Sequence, residues 1–547
     1  MPTETEPLLV PSVANVVGNA TDGVAPRRNG LYGIDRETYD ALPGRKRQLG
    51  SLALGELSTI PCVLHWLTTT YVFVRGIYAT PSIIFRMSGS VGGSLVTWLL
   101  GSVLACVGTA VYIELGTGLP RSGGDKNYLE FTYRKPRFLA TCIYAAYILS
   151  HGPPAANSVV FGEYFTHALG LSPSPLTMRL AGLLCLTASL VVHGCFPRFG
   201  LRLQNTLGFF KFILLSSVAF IGLLYLVKVP GFELRPDVDP PDNLRWEKLW
   251  EGEATGINAH AMALYYVLWS YTGYHGANSV LSEVENPVRT LSRALPIAMA
   301  LVTCTYLLVN MAYFGVVSKA DIIQNKSIIA ALFFRNLFGP TTERALSGII
   351  AISVFGNVLA TMFSYARIVQ EFGREGILPW SSLYASNKPF DSPFIGLAST
   401  YLPAAFIVLA IPAGDIYVFA VSLTSYCNAL VMMSVSLGLL FLHSPAYRVW
   451  NWNPPFRAPG IAVVVFVVSN FFLVVLPLIP PTTTRMYERL PYWSHPTASL
   501  GVVLLGVTYW YIWGTVLPWR RRYKLEREWV IQDDGISRFA FRKVAIE

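Results

Sequence analysis

Most of this 547-residue chain consists of long apolar runs separated by short polar loops. An α-helix needs about 20 apolar residues to cross the hydrocarbon core of a bilayer. Charged residues make up only 14% of the chain, whereas about 25% is usual for soluble domains. The pattern predicts a polytopic membrane protein. It excludes a soluble enzyme, a fibrous protein and a secreted disulfide scaffold.

The apolar runs predict twelve membrane-spanning helices and an all-α fold. The predicted spans are 57–86, 91–118, 138–168, 176–194, 204–228, 257–281, 292–317, 343–372, 393–411, 414–442, 459–479 and 497–518. Residues 1–50 are polar and contain no apolar core of a signal peptide, which predicts a disordered cytosolic tail. The membrane domain is expected at 51–518, followed by a cytosolic tail at 519–547.

The placement of lysine and arginine predicts the orientation in the membrane. Basic residues precede the first span and are concentrated in the loops after the second, fourth and sixth spans, whereas the loop at 229–256 carries seven acidic residues. Cytosolic loops are the basic ones, so both termini are predicted to be cytosolic. The net charge of +10 therefore reflects orientation, and no nucleic-acid partner is expected.

Two spans contain residues that interrupt helices. The first span holds residues 75–81 (RGIYATP) and the sixth holds residues 270–276 (SYTGYHG). Glycine and proline weaken a helix, and broken helices are tolerated in a membrane where they line a cavity. If spans 1–5 and 6–10 are inverted halves, the two breaks correspond, which predicts a binding site. The alternative is that these glycines only let helices pack closely.

The chemistry of such breaks suits a zwitterion. The N-terminus of a half-helix presents N–H groups and the positive end of its dipole, which favour a carboxylate. The C-terminus presents carbonyl groups, which favour an ammonium group. A free amino acid would satisfy both.

Three motifs carry a family resemblance. They are residues 114–124 (ELGTGLPRSGG), 283–291 (EVENPVRTL) and 373–379 (GREGILP). In this order and spacing, they resemble the L-type branch of the amino acid–polyamine–organocation superfamily, and most of all its fungal high-affinity methionine permeases. The resemblance runs from about residue 76 to about residue 460.

The resemblance implies a fold and a site. The implied fold has ten core helices in two inverted halves of five, with broken helices 1 and 6, at about 57–442, and two peripheral helices at about 459–518. The implied substrate-binding residues are Gly76, Ile77, Tyr78, Ser270, Tyr271, Thr272, Gly273 and Tyr274. Arg75 is a further substrate-binding candidate because it stands in the same stretch. The implied gating or structural residues are Glu114, Ser122, Gly123, Gly124, Glu283 and Arg374.

One position departs from the family pattern. The family has Gly-Ser/Thr-Gly-Ile-Phe where this chain has Val74, Arg75, Gly76, Ile77 and Tyr78, and residues 58–73 also lack the family's appearance. An arginine at mid-membrane costs several kcal/mol unless it is paired. Three explanations are open: a misread gene segment such as a retained intron, a decayed copy that does not transport, or an adaptation in which Arg75 clamps a carboxylate.

Lys211 is a candidate for proton coupling because it lies about one third of the way into the fifth span. Ionisable residues inside a membrane are often functional, and a desolvated lysine releases its proton more readily. In the family, a fifth-span lysine acts as a proton carrier or a fixed substitute for a cation. The alternative is a lysine whose side chain reaches back to the membrane surface.

The expected function is proton-coupled import of neutral amino acids, with methionine favoured by resemblance. The alternatives are an impaired or non-transporting paralogue and an amino-acid sensor. An enzyme, a metal site and a cofactor are not expected. The loop after the third span has no cysteine, so no disulfide-linked heavy chain is expected. The plasma membrane is favoured over the vacuole, although residues 4–9 (ETEPLL) resemble a sorting signal.

Overall fold

The computed structural model describes residues 76–120, 123–171, 174–253, 255–283, 287–324, 328–445, 452–481, 486–531 and 537–546. The predicted N-terminal tail, most of the first predicted span, Arg75 and Ser122 lie outside the described residues.

The described membrane domain is helical from end to end. In chain order, its helices are α1 Thr80–Ser88, α2 Val91–Gly118, α3 Asp125–Thr132, α4 Leu139–Ser150, α5 Pro154–Ala168, α6 Pro175–Cys195, α7 Pro197–Leu226, α8 Trp246–Leu249, α9 Ile257–Tyr271, α10 Pro287–Val316, α11 Lys319–Gln324, α12 Ile329–Phe338, α13 Pro340–Glu375, α14 Ser381–Ala385, α15 Phe394–Ala410, α16 Ile416–His443, α17 Gly460–Val475, α18 Ser494–Tyr511 and α19 Leu517–Arg521. Short 3₁₀ segments at Gly276–Glu283 and Leu476–Leu478 follow α9 and α17, and a π-helical turn at Ile512–Val516 joins α18 to α19.

Local capping signals set several helix boundaries. The Ser90 side chain accepts the backbone N–H of Gly93 at 3.0 Å at the start of α2. Ser174 and Thr177 form a reciprocal capping box at the start of α6, which satisfies N–H groups that have no partner within the helix. Gly376 ends α13 in the left-handed conformation, where the absence of a Cβ removes the steric penalty.

The observed helices follow the predicted spans closely. Each predicted span from the second to the twelfth coincides with one helix or with consecutive helical segments. By length and composition, eight helices among the described residues could cross a membrane. The predicted all-α polytopic architecture is confirmed for the membrane domain, whereas the count of twelve and the inverted repeat remain predictions.

Two features were not predicted. The third span is interrupted between Ser150 and Pro154, so that it consists of α4 and α5. After the last span, β1 Tyr523–Ile531 and β2 Ser537–Ala545 form an antiparallel hairpin in which Tyr523 pairs with Ala545. The ring of Phe541 contacts Phe138 and Trp513, with centroids 4.8 and 5.2 Å away. The hairpin is therefore packed against the ends of the third and twelfth spans.

The interior contains many aromatic side chains that end in polar atoms. Among the described residues, the largest fully buried side chains are two tryptophans and nine tyrosines. Large aliphatic side chains such as Leu99, Leu100 and Val103 on α2 are exposed instead. This distribution fits a protein whose outer surface faces lipid.

Candidate functional site

The sixth span is broken immediately after Tyr271, where α9 ends. The backbone of Thr272 leaves the helical conformation, with ψ of 129°. Gly273 has φ of 146°, which lies in the region that favours glycine. Helical structure resumes only with the 3₁₀ segment that begins at Gly276. The interruption predicted from Gly273 and Gly276 is present.

At this break, most of the last carbonyl groups of α9 are already bonded. The Thr272 hydroxyl donates to the Leu268 carbonyl at 3.0 Å, and the Thr272 N–H donates to the Trp269 carbonyl at 3.2 Å. The Tyr306 hydroxyl on α10 donates to the Ser270 carbonyl at 3.0 Å. The Tyr271 carbonyl has no donor among the described residues, so it remains available to a ligand.

The first span contributes a half-helix that begins with a tight turn. The Gly76 carbonyl, at a φ of 88°, accepts the N–H groups of Ala79 and Thr80, both at 2.8 Å. The N–H groups of Ile77 and Tyr78 have no acceptor among the described residues. Both residues are buried. The start of α1 therefore offers unbonded N–H groups in a buried setting.

The two breaks lie directly against each other. The hydroxyl groups of Thr80 and Ser270 are 3.1 Å apart. A Cβ added to Gly76 would lie 2.8 Å from the Ser270 Oγ and 3.1 Å from the Trp269 Cδ1. Only glycine fits here, because both the positive φ and the lack of space exclude a side chain.

The predicted residues of the sixth span divide into two groups. Ser270 lies at the contact with α1, as described above. Tyr271 packs on Trp98 and Tyr306 instead, with ring centroids 6.2 and 5.3 Å away. Tyr274 packs on Tyr112, at 5.7 Å, and on His275.

A small cavity lies beside this break. It is bounded by α2, α9, α16 and α17, and Thr272, Tyr274, Met432 and Phe466 are among its lining residues. The Tyr274 hydroxyl is 3.6 Å from the Met432 sulfur. Thr272 and Tyr274 thus line apolar space next to the break.

Other spans hold the half-helix of the first span in place. The Tyr164 hydroxyl on α5 donates to the Tyr78 carbonyl at 2.8 Å. Sequence analysis did not single out Thr80, Tyr164 or Tyr306, since contacts across 36 or more positions leave no local pattern. The nearest hint in the sequence was Thr80, a residue with a hydroxyl group five positions after Arg75.

Lys211 is buried within the bundle, with 1% of its surface exposed. Its ammonium group donates to the Asn357 Oδ1 on α13 at 2.8 Å. The side chain therefore links the fifth and eighth spans and is enclosed by the bundle.

A buried carboxyl group that was not predicted lies close to the sixth span. Asp125, at the start of the short helix α3 between the second and third spans, accepts from the Tyr112 hydroxyl at 2.5 Å and lies 3.5 Å from the Tyr144 hydroxyl. Burial raises the pKa of the Asp125 carboxyl, while His275 and the two hydroxyl groups oppose that rise. Its position in the sequence could have indicated this carboxyl group, because Asp125 directly follows the glycine pair that ends the first motif.

Glu114 joins three segments of chain. Its carboxylate is buried and accepts from the His443 Nε2 at 2.7 Å, the Trp452 indole at 2.8 Å and the Ala458 N–H at 2.8 Å. These donors lie at the end of α16 and in the segment before α17. Glu114 therefore connects α2 to the start of the predicted peripheral helices.

The remaining predicted gating or structural residues lie at helix ends. Gly124 precedes α3, and its carbonyl accepts the Asn127 N–H at 3.0 Å, while Gly123 adopts a φ of 126°. Arg374 donates to Glu371 at 2.7 Å within α13. Glu283 ends the 3₁₀ segment, but its side chain, like the whole of Ser122 and Arg75, falls outside the described part of the chain.

Comparison with known proteins decides the family. A sequence model described as "Amino acid permease" matches residues 64–505. The chain belongs to the amino acid permease family.

Several curated proteins of this kind are similar to the chain. The high-affinity methionine permease of Saccharomyces cerevisiae is 37% identical over 498 residues, which is 90% of this chain and 85% of that protein. The low-affinity methionine permease of the same yeast is 26% identical over 88% of this chain and 86% of its own length. The mouse b(0,+)-type amino acid transporter 1 is 25% identical over 74% of this chain and 79% of its own length.

The permease match is wider than the resemblance predicted from motifs. It extends from residue 64 to residue 505, whereas the motifs supported about 76 to 460. It therefore includes positions 74 and 75 and reaches into α18. The expected superfamily, the L-type relatives and a transporter rather than an enzyme are all consistent with this membership.

Proposed function

We propose that this permease is a secondary transporter that imports neutral L-amino acids by alternating access, with methionine as the favoured substrate. The observation that carries the proposal is the contact between the two breaks. There, the N–H groups of Ile77 and Tyr78 and the carbonyl of Tyr271 belong to spans that meet at Ser270. These groups have no hydrogen-bond partner within the part of the chain that the structure describes. The names of the two yeast relatives support methionine.

The chemistry of the proposed site follows from helix ends. The start of α1 places N–H groups and a positive dipole end where a carboxylate would lie, and the end of α9 places a carbonyl where an ammonium group would lie. In a buried setting, these interactions are stronger than in water. The side chain of the amino acid would then extend towards Thr272 and Met432, where the cavity of about 30 Å³ would have to enlarge to admit it.

We assign proton coupling to Lys211. A buried lysine pays a desolvation penalty in its charged form, so it can exchange a proton with changes in its surroundings. Its hydrogen bond to Asn357 joins the fifth and eighth spans. Movement between these spans would change the environment of the ammonium group.

The test of the site uses two glycines with the same backbone geometry. Gly76 and Gly231 have φ of 88° and 89°, but a Cβ on Gly231 would meet nothing within 4 Å. In the Val74→Gly/Arg75→Thr chain, which carries the family's Gly-Thr-Gly, Gly76→Ala is expected to abolish methionine uptake in a permease-deficient host, while Gly231→Ala keeps it, although both carry the same backbone strain. Equal effects of the two substitutions would remove the support for a site at Gly76.

A second candidate function is an impaired transporter or an amino-acid sensor, and Arg75 favours it. The family pattern has a small hydroxyl residue where Arg75 stands, and a permanent charge there would act on the ammonium group of the substrate. The two candidates differ in whether the unaltered chain accumulates methionine. Thermal stabilisation of the purified chain by methionine, without uptake, would identify the sensor.

We further propose a plasma-membrane location with both termini in the cytosol, and no covalently linked heavy chain. The basic loops support the orientation. The absence of cysteine from residues 167–176 supports the last point.

A further inference from the structure

A groove of about 710 Å³ opens beside the end of the last span. It lies between the segment before α4, the π-helical turn and the start of β1. Its lining includes Arg137, Trp510, Trp519, Arg522, Tyr523 and Lys524. Neither the substrate site nor the proton-coupling site uses any of these residues.

The walls of the groove are held by specific contacts. The Trp510 indole donates to the Arg137 carbonyl at 2.7 Å, which ties the last span to the segment before α4. The rings of Phe138, Trp513 and Phe541 pack edge to face beneath it. A π-helical turn forms one wall, and such turns are frequent at functional sites. The groove is therefore a built feature of the fold.

Two of the positive charges of the groove have no carboxylate partner among the described residues. The side chains of Arg137 and Arg522 are exposed, and neither guanidinium forms an ion pair with any residue that the structure describes. Lys524 pairs with Glu526 at 3.2 Å, but both groups are largely exposed. Arg520 and Arg521 directly precede the groove, so the ligand it favours is an anion.

The surroundings of the groove are those of a membrane surface. In the most apolar stretch of the last span, only 11% of the residues are buried inside the protein, against 67% in the corresponding stretch of α13. The last span therefore presents a wide apolar face. Leu504, Leu505 and Tyr511 are exposed on it, and Trp519 at the rim is 82% exposed. Tryptophan of this kind is typical of the membrane interface. A ligand bound here can therefore place an anionic group in the groove and apolar chains along the last span.

We infer that this groove binds the headgroup of an anionic phospholipid, whose acyl chains lie along α18. The guanidinium groups of Arg137 and Arg522 hold the phosphate, and the exposed indole of Trp519 lies at the level of the glycerol backbone. Arginine suits this role because its planar group forms paired hydrogen bonds with phosphate oxygens. In the predicted orientation, the groove faces the cytosolic leaflet, where anionic lipids are concentrated.

The test compares two double variants that remove the same charge. The purified full chain is incubated with equimolar phosphatidylserine and phosphatidylcholine, and the bound lipids are counted by native mass spectrometry. The unaltered chain is expected to prefer phosphatidylserine. Arg137→Gln/Arg522→Gln should lower the preference about fivefold for each arginine, whereas Arg198→Gln/Arg202→Gln, at exposed arginines near the start of α7, should leave it unchanged.

Three results would overturn the inference: no preference in the unaltered chain, equal losses in both double variants, or displacement of the lipid by soluble glycerophosphoserine. The last would make the groove a site for small anions only. If Arg137→Gln/Arg522→Gln does not give a monodisperse protein, Arg137→Gln alone replaces it. Its side chain is exposed, and an unchanged preference in that variant would equally contradict the inference.

Discussion

At the scale of single residues, Arg75 has the largest predicted effect on transport. Its charge would favour the substrate carboxylate and repel the ammonium group, which must lie near the same break. At about 5 Å and an effective dielectric constant near 20, that repulsion is roughly 3 kcal/mol, or about a hundredfold in affinity. We therefore expect the unaltered chain to transport neutral amino acids poorly.

Val74→Gly/Arg75→Thr should recover methionine uptake in a permease-deficient host, because it restores the family pattern. Replacement of the whole segment 58–75 is the next step if the double variant does not fold. Robust methionine uptake by the unaltered chain would contradict this prediction, and would make Arg75 a carboxylate clamp. The transport assays below use both the unaltered and the Val74→Gly/Arg75→Thr chains.

Lys211→Ala should strongly reduce methionine accumulation against a gradient and flatten its dependence on external pH, because the proposed proton carrier is lost. Surface expression should remain largely intact. Lys248→Ala, at an exposed lysine on α8, is the control and should behave like its parent. Normal accumulation by Lys211→Ala across pH 5–8 would show that this lysine is structural.

Asp125 is expected to make stability depend on pH. Since the pKa of this carboxyl is raised in the folded chain, the folded state binds its proton more tightly than the unfolded state does. Stability should therefore fall as the pH rises from the ordinary carboxyl pKa through the raised one. Asp125→Asn should lose this part of the pH dependence of thermal unfolding in detergent, while the exposed Asp239→Asn should keep it. An unchanged pH profile in Asp125→Asn would refute the assignment.

Only part of the site could be predicted at this scale. Gly76, Gly273 and Ser270 belong to local patterns that interrupt helices, so sequence reasoning found them. The pairing of Thr80 with Ser270, and the support from Tyr164 and Tyr306, depend on how distant spans pack, and one sequence carries no record of that. Tyr271 and Tyr274 were grouped with Ser270 by adjacency, but their rings pack towards α2.

At the scale of elements, the apolar runs predicted the positions of the helices well. Residues that interrupt helices predicted only some of the breaks. The break in the sixth span was predicted from two glycines. The similar break before Pro154 was missed although residues 150–154 (SHGPP) interrupt the apolar run, because apolar residues resume directly after them and proline is also compatible with the first turn of a helix. The hairpin was missed because a charged segment after the last span was interpreted as a tail, although Tyr523 and Leu525 alternate with exposed Lys524.

Glu114 is expected to stabilise the join between α2, α16 and the segment before α17. Glu114→Ala would leave three buried or half-buried donors without their acceptor, at about 1–3 kcal/mol for each buried group. The thermal unfolding temperature of the purified chain should fall clearly. The exposed Glu233→Ala is the control, and an equal, small change in both variants would mean that the network contributes little.

At the scale of the whole molecule, the orientation can be tested with two glycosylation acceptor patterns. Residues 325–327 (NKS) follow the seventh span and are predicted to be outside, whereas residues 19–21 (NAT) are predicted to be inside. Both lie outside the described residues. Tags placed at the two sites should be accessible from outside only near Asn325. Glycosylation at Asn19, or a tag there that is accessible from outside, would reverse the topology.

The central claim is that the breaks of the first and sixth spans together hold the carboxylate and the ammonium group of one amino acid. Its most direct test is thermal stabilisation of the purified Val74→Gly/Arg75→Thr chain by methionine, by methionine methyl ester and by the analogue that lacks the amino group. The account predicts stabilisation by methionine alone, because each analogue leaves one set of buried backbone groups without its partner. Equal stabilisation by either analogue would contradict it.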